Sequence, residues 1–230
     1  MFKTNTKVNC NTSLNLYING KPIEKVSSCK YLGILIDENL NWDLHVDYVY
    51  KKIIRFTGIF YKLRSIVPKK CLCKLYYAFV FPYISYGVEI YANSCNATLD
   101  KLNKVNNKIL RILLQTNFST SNIDLYRDFN VLPIGLLYES KLLQLIFKWF
   151  HFNELLPEVF RTYFVLNKTI HKYYTRNVIN LHISTVNSNF GQRCSNFRGS
   201  KLWNELPDSL KQLSSIQAFK KNIHNFLLFK

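Results

Sequence analysis

Acidic residues are scarce in this sequence, and the short motifs that mark common active sites are missing. The 230 residues include 14 Asp and Glu against 31 Lys and Arg. The chain contains no GxSxG, no GxxxxGK(S/T) and no HExxH sequence, and no two acids stand at an active-site spacing. The five histidines are scattered, so we expect them to be structural. These absences argue against an autonomous active site.

Zinc-ligand patterns and secretory signals are missing as well. The six cysteines show no repeated CxxC and no histidine at zinc-finger spacing, so neither a zinc site nor a disulfide framework is indicated. The N-terminal residues lack the apolar core of a signal peptide, and the most apolar run, 131–152, is interrupted by polar and charged residues. We therefore expect an intracellular protein of the nucleus or cytoplasm with reduced thiols and no membrane span.

Apolar side chains and positive charge are abundant instead. Hydrophobic residues make up 48% of the chain and aromatic residues 15%, which is enough for a real core. A formal charge of +17 suits a polyanionic partner, and a nucleic acid is the first candidate. The alternative is a composition bias, because Lys, Asn, Ile, Phe and Tyr are all abundant, as A- and T-rich coding sequence would produce.

The N-terminal third predicts a β-hairpin followed by a long helix. Two short apolar runs flank Asn19-Gly20, a dipeptide that favours a type I′ turn, and this is the only convincing β signal. From Trp42 to Leu63 the apolar residues recur every three or four positions, which predicts one helix with Asn41 as its N-cap.

The rest of the chain reads as mainly helical. A helix is predicted from Pro68 until Pro82 ends it, and further helices from Thr98 to about Leu113, from Ser121 to about Phe129, from Ile134 to Phe152, and from a Ser214/Gln217 capping box to the C-terminus. The helix that follows Pro133 is apolar on most sides and is expected at the centre of its bundle. Residues 155–199 read as loops with one or two short strands.

Several short segments together carry a family resemblance. They are, in chain order, Lys3-Thr4, "KYLGILID" (30–37) with Leu40, Trp42 and His45, "GIFYKLR" (58–64), "LYYAFVFPYISYG" (75–87), "KILRILL" (108–114), "YYTRN" (173–177), "FRGSKLWNELPDSLK" (197–211) and "FKKNI" (219–223). This series resembles the region that follows the catalytic palm in reverse transcriptases of non-LTR retrotransposons, particularly the jockey-type LINE elements. Each segment alone is weak, but their shared order is fairly specific.

The resemblance implies a mainly α fold in three parts. Residues 1–40 would form a palm-end β-hairpin, residues 41–130 a thumb-like helical bundle, and residues 131–230 a C-terminal helical domain. In the family the hairpin that here carries Tyr31-Leu32-Gly33 is the primer grip, and the thumb helices follow the template-primer duplex. The implied partner is RNA or an RNA/DNA hybrid, and no small-molecule substrate is expected.

The resemblance also implies that the chain alone is inactive as a polymerase. The family's Phe/Tyr-x-Asp-Asp motif and an earlier aspartate would precede Lys3, and two-metal phosphoryl transfer needs those carboxylates. Mg²⁺ is therefore expected only with the palm, and no cofactor is expected for this chain. Asp37 and Glu38 are interpreted as acids of the turn before the helix, not as metal ligands.

The candidate binding residues lie at the grip and along the first thumb helices. No catalytic or metal-binding residue is predicted. The predicted nucleic-acid-binding residues are Tyr31, Gly33, Lys51, Lys52, Arg55, Lys62, Arg64, Lys69 and Lys70. Two alternatives stay open: a helical interaction module that docks on a protein such as an intact polymerase, and a nonfunctional remnant of a transposon.

Overall fold

A computed structural model of the protein describes residues 16–117, 119–170 and 179–230. Within these ranges the fold is mainly α with a small N-terminal β region, which confirms the predicted fold class. Lys3-Thr4 and the segment "YYTRN" lie outside the described residues.

The strands are β1 (Tyr17–Ile18), β2 (Lys21–Pro22), β3 (Ser28–Tyr31) and β4 (Ile34–Asp37). The helices are α1 (Asp43–Ile53), α2 (Arg55–Leu63), α3 (Lys69–Phe79), α4 (Phe81–Ser85), α5 (Val88–Tyr91), α6 (Asn96–Leu114), α7 (Asn122–Phe129), α8 (Ile134–His151), α9 (Glu158–Arg161), α10 (Asn167–Ile170), α11 (Asn189–Arg193), α12 (Ser195–Asn204), α13 (Asp208–Lys211) and α14 (Ile216–Phe229), with a 3₁₀ turn at Asn153–Leu155.

The N-terminal β region contains two antiparallel hairpins where the residue pattern predicted one. Asn19 and Gly20 have φ values of 50° and 75°, which confirms the turn between β1 and β2. The second hairpin pairs β3 with β4 and turns at Leu32 and Gly33. Leucine rarely adopts a positive φ, so this second turn gives no standard signal in the sequence.

The predicted long helix is divided in two, and its start differs from the prediction. Helix α1 begins at Asp43 after Trp42, which has a φ of 68°, so Asn41 is not the N-cap. Helix α1 ends at Ile53 and α2 begins at Arg55. The hydroxyl of Thr57 donates to the carbonyl of Ile54 at 2.7 Å, a local bond that bends helices. Ile54 keeps helical dihedral angles, so one buried face continues through both helices.

The next predicted helices are present with shifted boundaries. Helix α3 ends at Phe79, and Pro82 lies in the first turn of α4. Cys95, not Thr98, is the N-cap of α6, since Cys95 has an extended backbone and the helix begins at Asn96; the Thr98 hydroxyl, inside the first turn, donates to the Asp43 carboxylate at 2.9 Å. Apolar residues that recur at helical spacing between Leu99 and Leu113 form the buried inner face of α6. Its buried residues are Leu99, Leu102, Val105, Asn106, Ile109, Leu110 and Leu113.

Helices α7 and α14 each begin with a serine N-cap, and the sequence predicted one of the two at the correct residue. The hydroxyl oxygen of Ser121 accepts from the backbone N–H of Asp124 at 3.2 Å, which confirms the predicted cap of α7. The cap of α14 is Ser215, whose hydroxyl oxygen accepts from the N–H of Ala218 at 3.1 Å. The prediction of Ser214 was therefore wrong by one residue.

Residues 155–199 contain more helix than the prediction of loops and strands allowed. Helices α9, α10 and α11 are short, while α12 runs for ten residues from Ser195 to Asn204. Helix α12 packs on α8 through Gly199 and Ser200, and a Cβ at Gly199 would come within 2.9 Å of Ile146. The buried side of α12 consists largely of small residues, so hydrophobic periodicity could not reveal it.

Helix α8 lies at the centre of the C-terminal half, as predicted. Its Phe147 ring stacks on Phe219 of α14 with centroids 4.2 Å apart, and Phe150 stacks on Trp203 of α12 at 4.9 Å. The buried residues form one continuous cluster from Val46 to Leu228. The boundaries at 40 and 130 stay a prediction. No helix in the described part of the chain has the length and apolarity to cross a bilayer.

Candidate nucleic-acid interface

The turn of the second hairpin presents one aromatic side chain to solvent. Tyr31 pairs with Ile34 across a two-residue turn formed by Leu32 and Gly33, whose φ values are 46° and 83°. The Tyr31 side chain is 65% exposed. An exposed tyrosine at a hairpin tip offers a ring on which a base or sugar can stack.

Gly33 is held against a second motif segment. The Tyr86 phenol donates a hydrogen bond to the carbonyl of Leu32, and a Cβ at Gly33 would lie 3.3 Å from Cε1 of Tyr86. The neighbouring Gly87 has a φ of 67° and packs against Ile34. The segments "KYLGILID" and "PYISYG", far apart in sequence, are therefore in contact, and the hairpin tip is anchored.

The hairpin is also fixed to the start of α1. The backbone N–H of Leu35 donates to Nδ1 of His45 at 3.3 Å, so the ring proton of neutral His45 is on Nε2. Asp37 accepts hydrogen bonds from the N–H groups of Asn39, Asn41 and Trp42 at 2.9–3.2 Å. The Asp37 carboxylate therefore organises the turn before α1, as its sequence position indicated.

His45 is deeply buried at this junction. Its side chain is 2% exposed, and its ring centroid lies 5.1 Å from that of Tyr91. Nε2 is buried without a hydrogen-bond partner among the described residues. Burial lowers the pKa of His45 below its ordinary value of 6.5, because the charged ring would lose its hydration.

Tyr48 joins the hairpin and α1 through two cations. Lys30 of β3 and Lys52 of α1 each place their ammonium nitrogen 5.4 Å from the Tyr48 ring centroid. Lys52 is one of the predicted binding residues, while sequence reasoning missed Lys30 and Tyr48 as members of the site. Only the four-residue spacing of Tyr48 and Lys52 was visible in the sequence; the approach of Lys30 depends on the fold.

Three of the predicted residues form a stripe on α1 and α2. Lys51, Arg55 and Lys62 follow one another after four and seven residues, so they share the solvent side of these helices. The opposite side is buried through Val49 and Ile53 in α1 and through Phe60 in α2, each at most 2% exposed. None of the three cations forms an ion pair with a carboxylate in the described parts of the chain. We call Lys51, Arg55 and Lys62 the basic stripe.

The other three predicted cations do not belong to this stripe. Arg64 lies two residues after Lys62, about 200° around the helix, and its guanidinium stacks 4.0 Å from the Tyr61 ring centroid. Gln115 at the end of α6 donates to the carbonyl of Arg64 at 2.8 Å. Lys69 and Lys70 are exposed in the first turn of α3. These residues form a second basic group at the α2–α3 connection.

The chemistry available at this interface is binding. Lysine and arginine side chains can contact phosphates, and tyrosine rings can stack on bases or sugars. Among the described residues no three His, Cys, Asp or Glu side chains come close enough to hold a metal ion. The surface offers charge and aromatic side chains for contacts with phosphates, bases and sugars.

Comparison with known proteins gives two relatives, both from Drosophila melanogaster. One is a probable RNA-directed DNA polymerase from the transposon X-element, 25% identical over 122 residues, which are 52% of this chain and 13% of that protein. The other is the RNA-directed DNA polymerase from the mobile element jockey, also 25% identical over 122 residues, or 51% of this chain and 13% of that protein. No protein-family profile and no solved structure matches the chain.

These relatives confirm the resemblance that the ordered segments indicated. The chain is similar, over about half of its length, to polymerases of jockey-type non-LTR retrotransposons. The matched region is a small part of each relative, since it covers 13% of either protein. The similarity supports a fragment of such a polymerase.

Proposed function

We propose that this chain holds RNA or an RNA/DNA hybrid, as the grip and thumb of a retrotransposon-type RNA-directed DNA polymerase. The observation that carries the proposal is the arrangement around Tyr48, where Lys30 of the hairpin and Lys52 of α1 share one ring. The basic stripe follows on the solvent side of the same helix and of α2. Both relatives are RNA-directed DNA polymerases by name, which supports a nucleic acid as the partner.

In this proposal the three parts of the chain have different roles. Residues 1–40 would be the end of a palm and position a primer through Tyr31 and the turn at Gly33. Residues 41–130 would be the thumb and contact the duplex backbone through the basic stripe, Lys52 and the second basic group. Residues 131–230 would form a separate C-terminal domain. Contacts from these cations to phosphates would hold a duplex of any sequence.

We assign no catalytic residue to this chain. The carboxylate of Asp37 is engaged by three backbone N–H groups, so it serves the turn before α1. In our proposal the metal-binding aspartates of the polymerase reaction belong to the palm and are not supplied by Asp37 or Glu38. The chain would position nucleic acid for that reaction.

Fluorescence anisotropy with a labelled RNA/DNA hybrid tests the proposal. The variant K51E/R55E/K62E reverses the basic stripe, and K108E/K168E/K201E reverses three other exposed lysines with the same change in net charge. We expect the stripe variant to weaken binding by at least about tenfold more than the control, since three phosphate contacts become repulsive. Equal weakening by both variants would show that only net charge matters, and would overturn the assigned surface.

A second candidate function is docking on a protein, and one specific observation favours it. Apolar side chains are exposed throughout the two hairpins. They are Leu16, Tyr17, Ile18, Ile23, Val26, Tyr31 and Leu32. Exposed apolar side chains concentrated in one region of a chain mark association with another protein, for which an intact polymerase is our candidate.

Salt dependence separates the two candidates. Binding to nucleic acid weakens steeply between low and moderate salt because counterions are released, whereas apolar docking does not. Association with a purified polymerase that persists at high salt and is lost in I18S/I23S/V26S would favour docking. Salt-sensitive binding of the hybrid that survives in the same variant would favour the first proposal.

A further inference from the structure

A cleft of about 510 Å³ is lined mostly by residues of the C-terminal half and by none from the hairpins or the basic stripe. It lies between α5 and α8 on one side and residues 156–163 on the other, with the start of α12 and α14 at its ends. Its volume is in the range of small-molecule binding sites, about 300–1,000 Å³. The lining residues that matter below are Ile90, Leu142, Leu145, Leu156, Phe160 and Tyr163.

The walls of this cleft are mostly apolar. Leu142 of α8 and Leu156 are buried, while Ile90 of α5 and Phe160 of α9 are 46% and 36% exposed and border the opening. The Tyr138 hydroxyl at one end is within 3.4 Å of the Ser195 hydroxyl, so these two polar groups have each other as partners. An alkyl chain could lie against the apolar walls without breaking the contact between these two hydroxyl groups.

The charges around the cleft are predominantly positive. The ammonium group of Lys141 lies 3.5 Å from the Glu89 carboxylate, so this pair is neutralised within the protein. Lys148 of α8 and Lys220 of α14 also line the cleft, are exposed, and have no ion-pair partner among the described carboxylates. An apolar cleft with two unpaired ammonium groups suits a ligand that has an apolar body and one anionic end.

We propose that this cleft binds a free amphiphilic carboxylate, such as a medium-chain fatty acid. Its alkyl chain would lie against the apolar walls, and its carboxylate would be held by Lys148 and Lys220. This site is independent of the nucleic-acid proposal, because none of its residues belongs to the hairpins or the basic stripe.

Isothermal titration with laurate, below the concentration at which it forms micelles, tests the site. We expect saturable binding of one laurate per chain, about tenfold or more tighter than binding of dodecanol, which lacks the charge. Dodecyltrimethylammonium should bind more weakly than either. Equal affinity for the carboxylate and the alcohol, or no saturable binding of laurate, would overturn the proposal.

Paired variants locate the binding. K148Q/K220Q should weaken laurate binding about tenfold and leave dodecanol binding unchanged, while K108Q/K201Q should change neither. Circular dichroism of both variants serves as the control for correct folding. Unchanged laurate binding in K148Q/K220Q would contradict the assigned site. The stripe variant K51E/R55E/K62E should bind laurate as the wild type does. Failure of the laurate site and failure of the nucleic-acid surface can therefore be recognised separately.

Discussion

At the residue scale, Gly33 is constrained both by its backbone and by a neighbour. Its φ of 83° disfavours any side chain, and a Cβ would lie 3.3 Å from the Tyr86 ring. We predict that Gly33→Ala lowers the free energy of unfolding by about 1–2 kcal/mol. Gly58 is the matched control: it lies within α2 and nothing approaches its Cβ position within 4 Å.

Urea unfolding followed by circular dichroism compares the two glycine variants. Gly58→Ala should raise the free energy of unfolding by about 0.5–1 kcal/mol, because alanine restricts the unfolded chain and favours helix. The signs of the two changes should therefore be opposite. A stabilised Gly33→Ala variant would show that the Leu32-Gly33 turn is not held in its left-handed conformation.

His45 predicts a pH dependence of stability. Its pKa in the folded protein is lowered by burial, so the unfolded chain binds a proton more readily. The contribution of neutral His45 is complete above its ordinary pKa of 6.5 and decreases as the pH falls below that value. Protonation would also place an N–H on the Nδ1 atom that accepts from Leu35, which weakens the contact between hairpin and α1.

The variant His45→Gln isolates this effect. We expect wild-type stability to decrease from about pH 7 to about pH 5 relative to the variant, because only the wild type carries the titrating ring. Chemical denaturation at a series of pH values gives the difference directly. Parallel pH profiles for the two proteins would rule out protonation of His45 as a destabilising event.

At the scale of elements, a buried polar network joins three helices. The Tyr76 hydroxyl of α3 donates to the Asn106 side-chain oxygen of α6 at 2.9 Å. The Asn106 amide nitrogen donates to the Tyr126 hydroxyl of α7 at 3.3 Å. Burial raises the pKa of Tyr126 to about 12 and also raises the pKa of Tyr76, so both phenols stay neutral; Tyr76 donates and Tyr126 accepts. The network fixes α3, α6 and α7 together.

Removing one hydroxyl from this network should be costly. Tyr76→Phe leaves the buried Asn106 oxygen without its donor, and we predict a loss of about 1–3 kcal/mol in the free energy of unfolding. Tyr77→Phe is the control, since Tyr77 is 40% exposed and water can replace its bond to the Asn130 carbonyl. Thermal and urea unfolding should show a much smaller loss for the control; equal losses would argue against the network.

The helices that the sequence predicted well have long apolar faces. The inner face of α6 and the central position of α8 follow from apolar residues at helical spacing, which act over many turns. The division at Ile54 coincides with a hydrogen bond from the Thr57 hydroxyl to the Ile54 carbonyl, and hydrophobic periodicity does not encode such a local bond. Helix α12 was missed because Gly199 and Ser200 form much of its contact with α8, and small residues carry no hydrophobic signal.

In the candidate site, too, some features could be predicted from hydrophobic periodicity and others depend on the fold. The solvent side of the basic stripe could be predicted, because the buried side of the same helices is strongly apolar. The cluster of Lys30, Tyr48 and Lys52 could not be predicted, since Lys30 approaches the Tyr48 ring only when the hairpin packs on α1. The contact of Tyr86 with Leu32 and Gly33 likewise joins segments separated by more than fifty residues, and no sequence pattern predicted it.

At the scale of the whole molecule, the unpaired positive charge and the exposed apolar side chains both favour binding to other macromolecules. The chain carries a formal charge of +17, and its five ion pairs in the described ranges leave the basic stripe unpaired. The exposed apolar hairpins lie beside that stripe through the contact of Lys30 with Tyr48. In our proposal the basic stripe would contact phosphates, and the exposed apolar side chains of the hairpins would contact a protein.

The salt dependence of hybrid binding tests the central claim most directly. The logarithm of the binding constant is measured against the logarithm of the salt concentration for the wild type and for K51Q/R55Q/K62Q. If the stripe contacts phosphates, the slope for the neutral variant should be shallower by about two to three, since each phosphate contact contributes about 0.7–0.9. Parallel lines for the two proteins would show that the stripe faces water, and would contradict the assignment of this surface to nucleic acid.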